Sequence, residues 1–178
     1  QRILELGCGW GSLTLFMAAA YPESTIMAVS NSNSQRLYIE AQAQARGLMN
    51  ITVMTEDMNT FEPDGQFDRV VSIEMFEHMR NYERLFDQIS SWLVADGLLF
   101  FHIFCHRNQP YFFEDESQED WMARHFFTGG LMPSLDLPKQ FEGRLLQRQY
   151  WVVNGQHYAN TCKAWLKNLD QHKTAIVK

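Results

Sequence analysis

Residues 1–12, Gln-Arg-Ile-Leu-Glu-Leu-Gly-Cys-Gly-Trp-Gly-Ser, decide the fold of this chain. Ile3, Leu4 and Leu6 form an apolar run that reads as a short buried strand. It leads straight into three alternating glycines, Gly7, Gly9 and Gly11, and then into an apolar-rich segment, residues 13–20, that reads as a helix. Strand, glycine turn, helix is the corner of a doubly wound sheet, where backbone must approach a phosphate or nucleoside closely. A dinucleotide fingerprint, Gly-x-Gly-x-x-Gly, requires a third glycine where Ser12 stands and an acid about 20 residues further on. Here the second strand ends in Ser30-Asn31, and the acid comes before the turn instead, as Glu5.

Length and composition narrow the classes. The chain has 178 residues and is 46% hydrophobic, enough for one domain with a sizeable core. No run approaches the roughly 18 continuous apolar residues of a membrane span, and the start does not resemble a signal peptide. A net charge of −6 argues against a nucleic-acid binder. Cys8, Cys105 and Cys162 are widely spaced and odd in number, so no disulfide framework is expected and a reducing, cytoplasmic location is. The chain opens at its first strand and ends in Ile176-Val177-Lys178, so it is expected to be a piece of a longer protein trimmed at both ends.

Strand signals recur at residues 25–29, 51–55, 67–73 and 97–104, and helical signals at 33–46, closed by Gly47, and at 81–93. Their alternation predicts an α/β fold with a doubly wound, mostly parallel sheet covered on both faces by helices. Residues 145–153 are expected to add a sixth strand and residues 158–170 another helix. Residues 105–143 break the pattern, with many aromatics and acids. A connection this long suits a substrate-covering insertion or a capping subdomain with its own small core, and the two are compatible. The expected organisation is one domain over residues 1–178 with that insertion.

In such a sheet ligands lie outside the carboxyl ends of the strands. The polar turn Ser30 to Gln35, including Asn31, has hydroxyl and amide groups suited to ribose, and equally suited to capping the next helix. Asp57 is placed to accept from an adenine amino group, with Met58 packing on the ring; an exposed loop acid is the plainer alternative. Ile73 ends the fourth strand, and Ser72 to Met79 reads Ser-Ile-Glu-Met-Phe-Glu-His-Met. Two carboxylates and an imidazole, Glu74, Glu77 and His78, follow an apolar strand within a few residues. Glu74 and Glu77 are three apart, so one helical turn brings them to one side. Crowded carboxylates raise one another's pKa and a histidine shares protons with them, a plausible general-base assembly. The competing view is an acidic helix start favoured by the helix dipole. His102, Cys105 and His106 have metal-ligand chemistry, but the spacing offers no fourth ligand, so no metal is expected.

The pattern Glu-x-Gly-x-Gly-x-Gly resembles the first motif of class I S-adenosylmethionine (SAM) methyltransferases. With Leu6 to Ser12, Ser30 to Gln35, Met75 to His78, His102, and His157 to Trp165, the chain resembles the cyclopropane fatty acid synthase superfamily over nearly its whole length. Ser72 to Tyr82, residues 99–106 and Phe126 to Ser134 are most similar to its coclaurine N-methyltransferase branch. The resemblance implies a Rossmann-like methyltransferase with SAM as cofactor, released as S-adenosyl-L-homocysteine (SAH), and a small, aromatic or heterocyclic amine as methyl acceptor. It assigns catalysis to Glu74, Glu77 and His78, and cofactor contacts to Glu5, Gly7, Gly9, Gly11, Ser30, Asn31, Gln35, Asp57, Met58 and Ile73. It assigns the acceptor pocket to His102, Phe112, Phe113, Trp121, Phe126, Phe127 and Tyr158.

The synthase side of the superfamily implies a different reaction, modification of unsaturated acyl chains with bicarbonate as base. Glu77, His102 and Tyr158 match its bicarbonate residues. Bulky Phe104, and Met79-Arg80 where those enzymes have Val-Gly, depart from that pattern and favour the amine. A third reading is a SAM-binding piece without activity of its own.

Overall fold

A computed structural model describes residues 1–117, 120–125, 127, 129–141, 143 and 145–177, the side chain of Met122 excepted. These fall into two compact units, Gln1–Leu146 and Gln147–Lys178.

The first unit is built on five parallel strands: β1 (Arg2–Leu6), β2 (Thr25–Ser30), β3 (Ile51–Thr55), β4 (Phe67–Ile73) and β5 (Leu93–His102), in the order β3-β2-β1-β4-β5. The order reverses direction at β1, which pairs with β2 through Leu6↔Val29 and with β4 through Leu6↔Ser72. That reversal leaves a crevice at the strands' carboxyl ends, the usual ligand position of open α/β sheets. Pairing of β5 with β4 jumps from Phe67↔Leu93 to Arg69↔Leu98. The regular ladder therefore begins beside Gly97, where the sequence places the strand's start.

Alternation along β1 explains the layers. Leu4 and Leu6 pack on one face with Val29, Val70 and the apolar stripe of helix α3 (Tyr82–Trp92), which buries Tyr82, Leu85, Phe86, Ile89 and Trp92. Asn81 caps α3, its side chain accepting from Arg84 N. On the opposite face Ile3 and Ile26 meet Met17 and Ala18 of α1 (Ser12–Ala20), while Ala28 and Val53 meet Ile39 and Ala43 of α2 (Asn33–Ala45). Over β1 and β2 both faces are thus covered, as the alternating pattern requires, whereas Leu98 and Phe100 of β5 are exposed. Burying each large side chain contributes roughly 1.5–3 kcal/mol, so this double layer is what holds the crevice's walls in place.

Beyond β5 the chain forms a short antiparallel pair, β6 (Tyr111–Phe112) and β7 (Leu131–Met132), with helix α4 (Trp121–His125) between them and a 3-10 segment, Leu137–Phe141, after them. Residues 105–143 therefore have local structure of their own, not a bare loop. The second unit contains α5 (Gln156–Gln171), close to the expected helix, and a final turn, α6 (Lys173–Ile176). Residues 145–153 do not form the expected sixth strand. Its apolar ends, Leu145-Leu146 and Tyr150 to Val153, flank Gln147-Arg148-Gln149, which breaks strand alternation. Among the described residues no helix is long and apolar enough to cross a membrane.

The three glycines of the first turn are all left-handed, with φ of 78° at Gly7, 52° at Gly9 and 79° at Gly11. They differ in surroundings. A β-carbon at Gly7 would lie 2.6 Å from Met75 Cγ, and one at Gly11 2.5 Å from Ile39 Cγ1, whereas one at Gly9 would meet nothing within 4 Å. Gly11→Ala should therefore lose about 2–4 kcal/mol through combined strain and overpacking, and Gly9→Ala only about 1 kcal/mol through strain. Urea unfolding midpoints of the two variants measure this difference.

Candidate active site

The crevice at the reversal point is lined from both sides. From β1, the turn is held by Gly7 N and Cys8 N, both donating to Val29 O at 3.0 Å, and by Gly11 N donating to Cys8 O at 2.9 Å. Glu5 faces the α1 layer and is buried, and Thr14 Oγ1 donates to its Oε2 at 2.6 Å. Burial pushes the Glu5 carboxyl up to about 7 despite that bond. Burial and the Glu5 charge push the neighbouring Cys8 thiol up to about 12, so this cysteine is an inert packing group.

The β2 end is a self-bonded polar turn. Ser30 is buried and donates to Gln35 Oε1, Ser32 N donates back to Ser30 Oγ at 3.2 Å, and Ser32 caps α2. Capping, one of the two uses read from the sequence, is thus formed; Asn31 is exposed beside it. At the β3 end Asp57 is exposed and its Oδ1 accepts from both the backbone N–H and the side-chain amide of Asn59 at 2.8 Å, while Met58 is half-buried against the main core. Ile73 is exposed at the end of β4.

The carboxylate cluster takes a more specific form than one helical turn. Glu74 has φ 54°, a left-handed backbone that disfavours a side chain, and its N–H donates to His102 O at 2.8 Å. Its Oε1 lies 3.6 Å from His102 Nδ1, and both side chains are about one-third exposed, at 35% and 37%. The partner of Glu74 is thus the histidine across on β5, not the adjacent His78. A 3-10 turn, Phe76–His78, then carries Glu77 inward. Glu77 is 1% exposed; its Oε1 accepts from Phe104 N at 2.6 Å, and its Oε2 is buried without a hydrogen-bond partner among the described residues. Burial, reinforced by the Glu74 charge and opposed by backbone hydrogen bonds, pushes the Glu77 carboxyl up to about 7. His78 is shifted below the ordinary imidazole value by burial. Its ring lies 5.5 Å from that of Phe127, which in turn stacks on Phe113 at 4.6 Å.

Of the aromatics assigned to the pocket, Phe113 and Phe127 thus stand beside His78. Phe112 is exposed, and Trp121 is exposed with its ring against His125. Phe126 lies outside the described residues. Tyr158 belongs to the second unit, on α5, with its ring edge-on to Trp165. Two supporting residues escape sequence reading. Thr14 is signalled faintly, as one polar residue inside the apolar run Leu13 to Phe16. Tyr82 is signalled only as the last residue of the Ser72 to Tyr82 motif; it is buried beside Phe76 and Phe86, its hydroxyl lacks a hydrogen-bond partner among the described residues, and burial together with the Glu77 charge raises its pKa.

The sequence matches the mycolic acid cyclopropane synthetase family over residues 1–178. The chain belongs to that family. Within it, the chain is 38% identical over 178 residues to (S)-coclaurine N-methyltransferase of Thalictrum flavum subsp. glaucum, covering 99% of this chain and 49% of that protein. It is 34% identical over 174 residues to the enzyme of the same name from Papaver somniferum, covering 97% of this chain and 50% of that protein. The crystal structure of a coclaurine N-methyltransferase bound to N-methylheliamine and SAH superposes with a TM-score of 0.89 at 38% identity, over 96% of this chain and 52% of that one. This family member therefore spans about half the length of the curated relatives it matches.

The two raised carboxyls have a consequence for stability. Each is raised from 4.5 to about 7 on folding, so the unfolded chain ionises first as pH rises. Stability is full below about pH 4.5 and falls by about 3 kcal/mol per group once pH has risen past 7. Thermal unfolding midpoints should thus decline between pH 5 and 8 in the ligand-free protein. Glu5→Gln and Glu77→Gln should each flatten that decline, since glutamine keeps an acceptor for Thr14 or for Phe104 N but does not ionise.

Proposed function

We propose that this chain carries the catalytic half of a SAM-dependent N-methyltransferase acting on a small aromatic or heterocyclic amine. The observation that carries the reading is Glu77: a fully buried carboxyl with one oxygen fixed by Phe104 N and the other without a partner among the described residues, pushed up to about 7 by burial. The likeness to a coclaurine N-methyltransferase bound to N-methylheliamine and SAH supports it at 38% identity.

The residues at the crevice fit SAM. Gly9 borders open space where any side chain would intrude, while Gly7 and Gly11 are tied to packing. In this reading Glu5 and Gly7, Gly9 and Gly11 receive the methionyl and nucleoside parts. Ser30, Asn31 and Gln35 receive the ribose, and Asp57, Met58 and Ile73 the adenine. When bound, SAM supplies an electrophilic methyl on a sulfonium, which needs little further activation. The protein's share is to hold the acceptor nitrogen in line and to remove its proton.

Glu74, paired with His102 at the surface of the crevice, meets the ammonium form of the acceptor and orients it. The ammonium would first give its proton to Glu77 or to His78, held neutral by its burial; the freed nitrogen lone pair then forms its bond to carbon as the carbon–sulfur bond breaks and SAH leaves. Phe113 and Phe127 form an aromatic wall beside His78, with the insertion, residues 105–143, as the acceptor's cover; a cationic amine is stabilised against such rings. Phe112 and Trp121 are assigned to the remainder of the pocket. A cytoplasmic location is part of the proposal and rests on three free cysteines, two of them exposed.

The test incubates the protein with methyl-labelled SAM and a crude cell extract, then separates lipid from aqueous products. Label in an aqueous, base-extractable fraction is expected. Label retained in acyl chains would overturn the amine in favour of the synthase chemistry at Glu77, His102 and Tyr158. SAH binding without transfer would leave a binding piece. With an amine in hand, kcat/KM should rise from pH 6 to 8 with a midpoint near 7, because the base works deprotonated. Glu77→Gln should lower turnover about 10²–10⁴-fold and abolish that limb, while Gly9→Ala should weaken SAH binding with turnover at saturation less affected.

A further inference from the structure

Arg80 departs from the synthase-type motif, and nothing in the reaction proposed above uses it. The structure gives it two contacts. Its Nε donates to Gly129 O at 2.6 Å, and its guanidinium carbon stands 4.7 Å over the ring of Phe112. Phe112 lies on β6 and pairs with Leu131 of β7; Gly129 lies just before β7. One side chain, two residues after His78, therefore grips both sides of the insertion's hairpin.

The backbone closes the same junction. A β-carbon at Gly130 would lie 2.7 Å from Glu77 O, so the hairpin rests directly on the catalytic turn's main chain. Phe113 N donates to Gly130 O at 3.1 Å, which fixes Phe113 relative to that contact. Phe113 then stacks on Phe127, and Phe127 faces the His78 ring. A continuous path of named contacts thus runs from the Arg80 guanidinium to the aromatic wall beside the imidazole.

We propose that Arg80 is a positioning residue that sets the gap between His78 and the Phe113–Phe127 wall, and thereby the size and seating of the methyl acceptor. Arginine suits this task because a planar guanidinium donates in its plane while its face lies on a ring. Lysine supplies a single cationic head and cannot hold both contacts in that geometry. Glycine, which the synthase-type motif has here, makes neither. The inference rests on reading the crevice as an acceptor site.

Its test is Arg80→Met, with Arg80→Lys beside it. In steady-state assays with the acceptor, KM for the amine should rise about tenfold in Arg80→Met, while KM for SAM stays within about twofold; Arg80→Lys should fall between. Independently of turnover, the imidazole carbons are followed by NMR as pH varies in protein labelled on its six histidines, with His78→Gln used for assignment. His78, shifted down by burial, should move upward toward the ordinary imidazole value once the wall is released. An unchanged amine KM together with an unchanged His78 titration would overturn the proposal. So would a parallel loss in both KM values, kcat and unfolding temperature, which marks Arg80 as a general fold contact. If the wild-type protein transfers no methyl group, the functional reading fails, and the His78 titration still decides the role of Arg80. Should Arg80→Met not fold, Arg80→Lys carries both measurements.

Discussion

The parallel pairing of β1 with β4 is the constraint on which the rest depends. Leu6 stands beside Ser72, and Ser72 Oγ donates to Leu6 O at 3.0 Å, so the two strands release their chains at the same level of the sheet. Everything near the crevice follows from that level. The glycine turn must pass over Met75 without a β-carbon at Gly7, and α1 starts where Gly11 clears Ile39. The β4 chain turns at Glu74, whose φ is 54°, and sends Glu77 inward. Neighbouring β5 and the residues just after it complete the arrangement from the backbone, with His102 O and Phe104 N each holding one of the two glutamates.

Two buried carboxyls flank this junction, Glu5 on the β1 side and Glu77 on the β4 side, both pushed up to about 7 chiefly by burial. An acid held away from water costs stability when it ionises unless a positive partner arrives. In the proposed reaction both the sulfonium donor and the protonated acceptor are cations. Their binding would lower the carboxyl pKa values and offset that cost, so ligand binding and proton release are linked at this site. The −6 net charge of the chain works in the same direction over longer range.

Much of this was legible in the sequence, and for identifiable reasons. All five strands of the main sheet stand where apolar runs end in glycine or polar punctuation, because buried parallel strands and their turns leave strong local signals. The proximity of Glu74 to Glu77 was legible because they are close in the chain. What was not legible depends on contacts between distant segments. The pairing of Glu74 with His102 and the hold of Phe104 N on Glu77 are set by how β4 and β5 align. Leu145 to Val153 failed as a strand for a local reason: Gln147-Arg148-Gln149 interrupts its strand-like residues. Thr14 lay between these cases, a polar residue out of place in an apolar helix stripe.

Glu74 shows where these demands conflict. Its φ of 54° is a conformation that glycine or asparagine adopts with less strain. A chain selected for thermal robustness alone would replace it. In the proposed reaction the glutamate therefore marks a point at which folding stability and chemistry would pull against each other, with local strain of order 1–3 kcal/mol set against one carboxylate's direction. Directed evolution of this scaffold toward heat resistance would meet that trade-off early, and Glu74 is the position to hold fixed while stability is sought elsewhere.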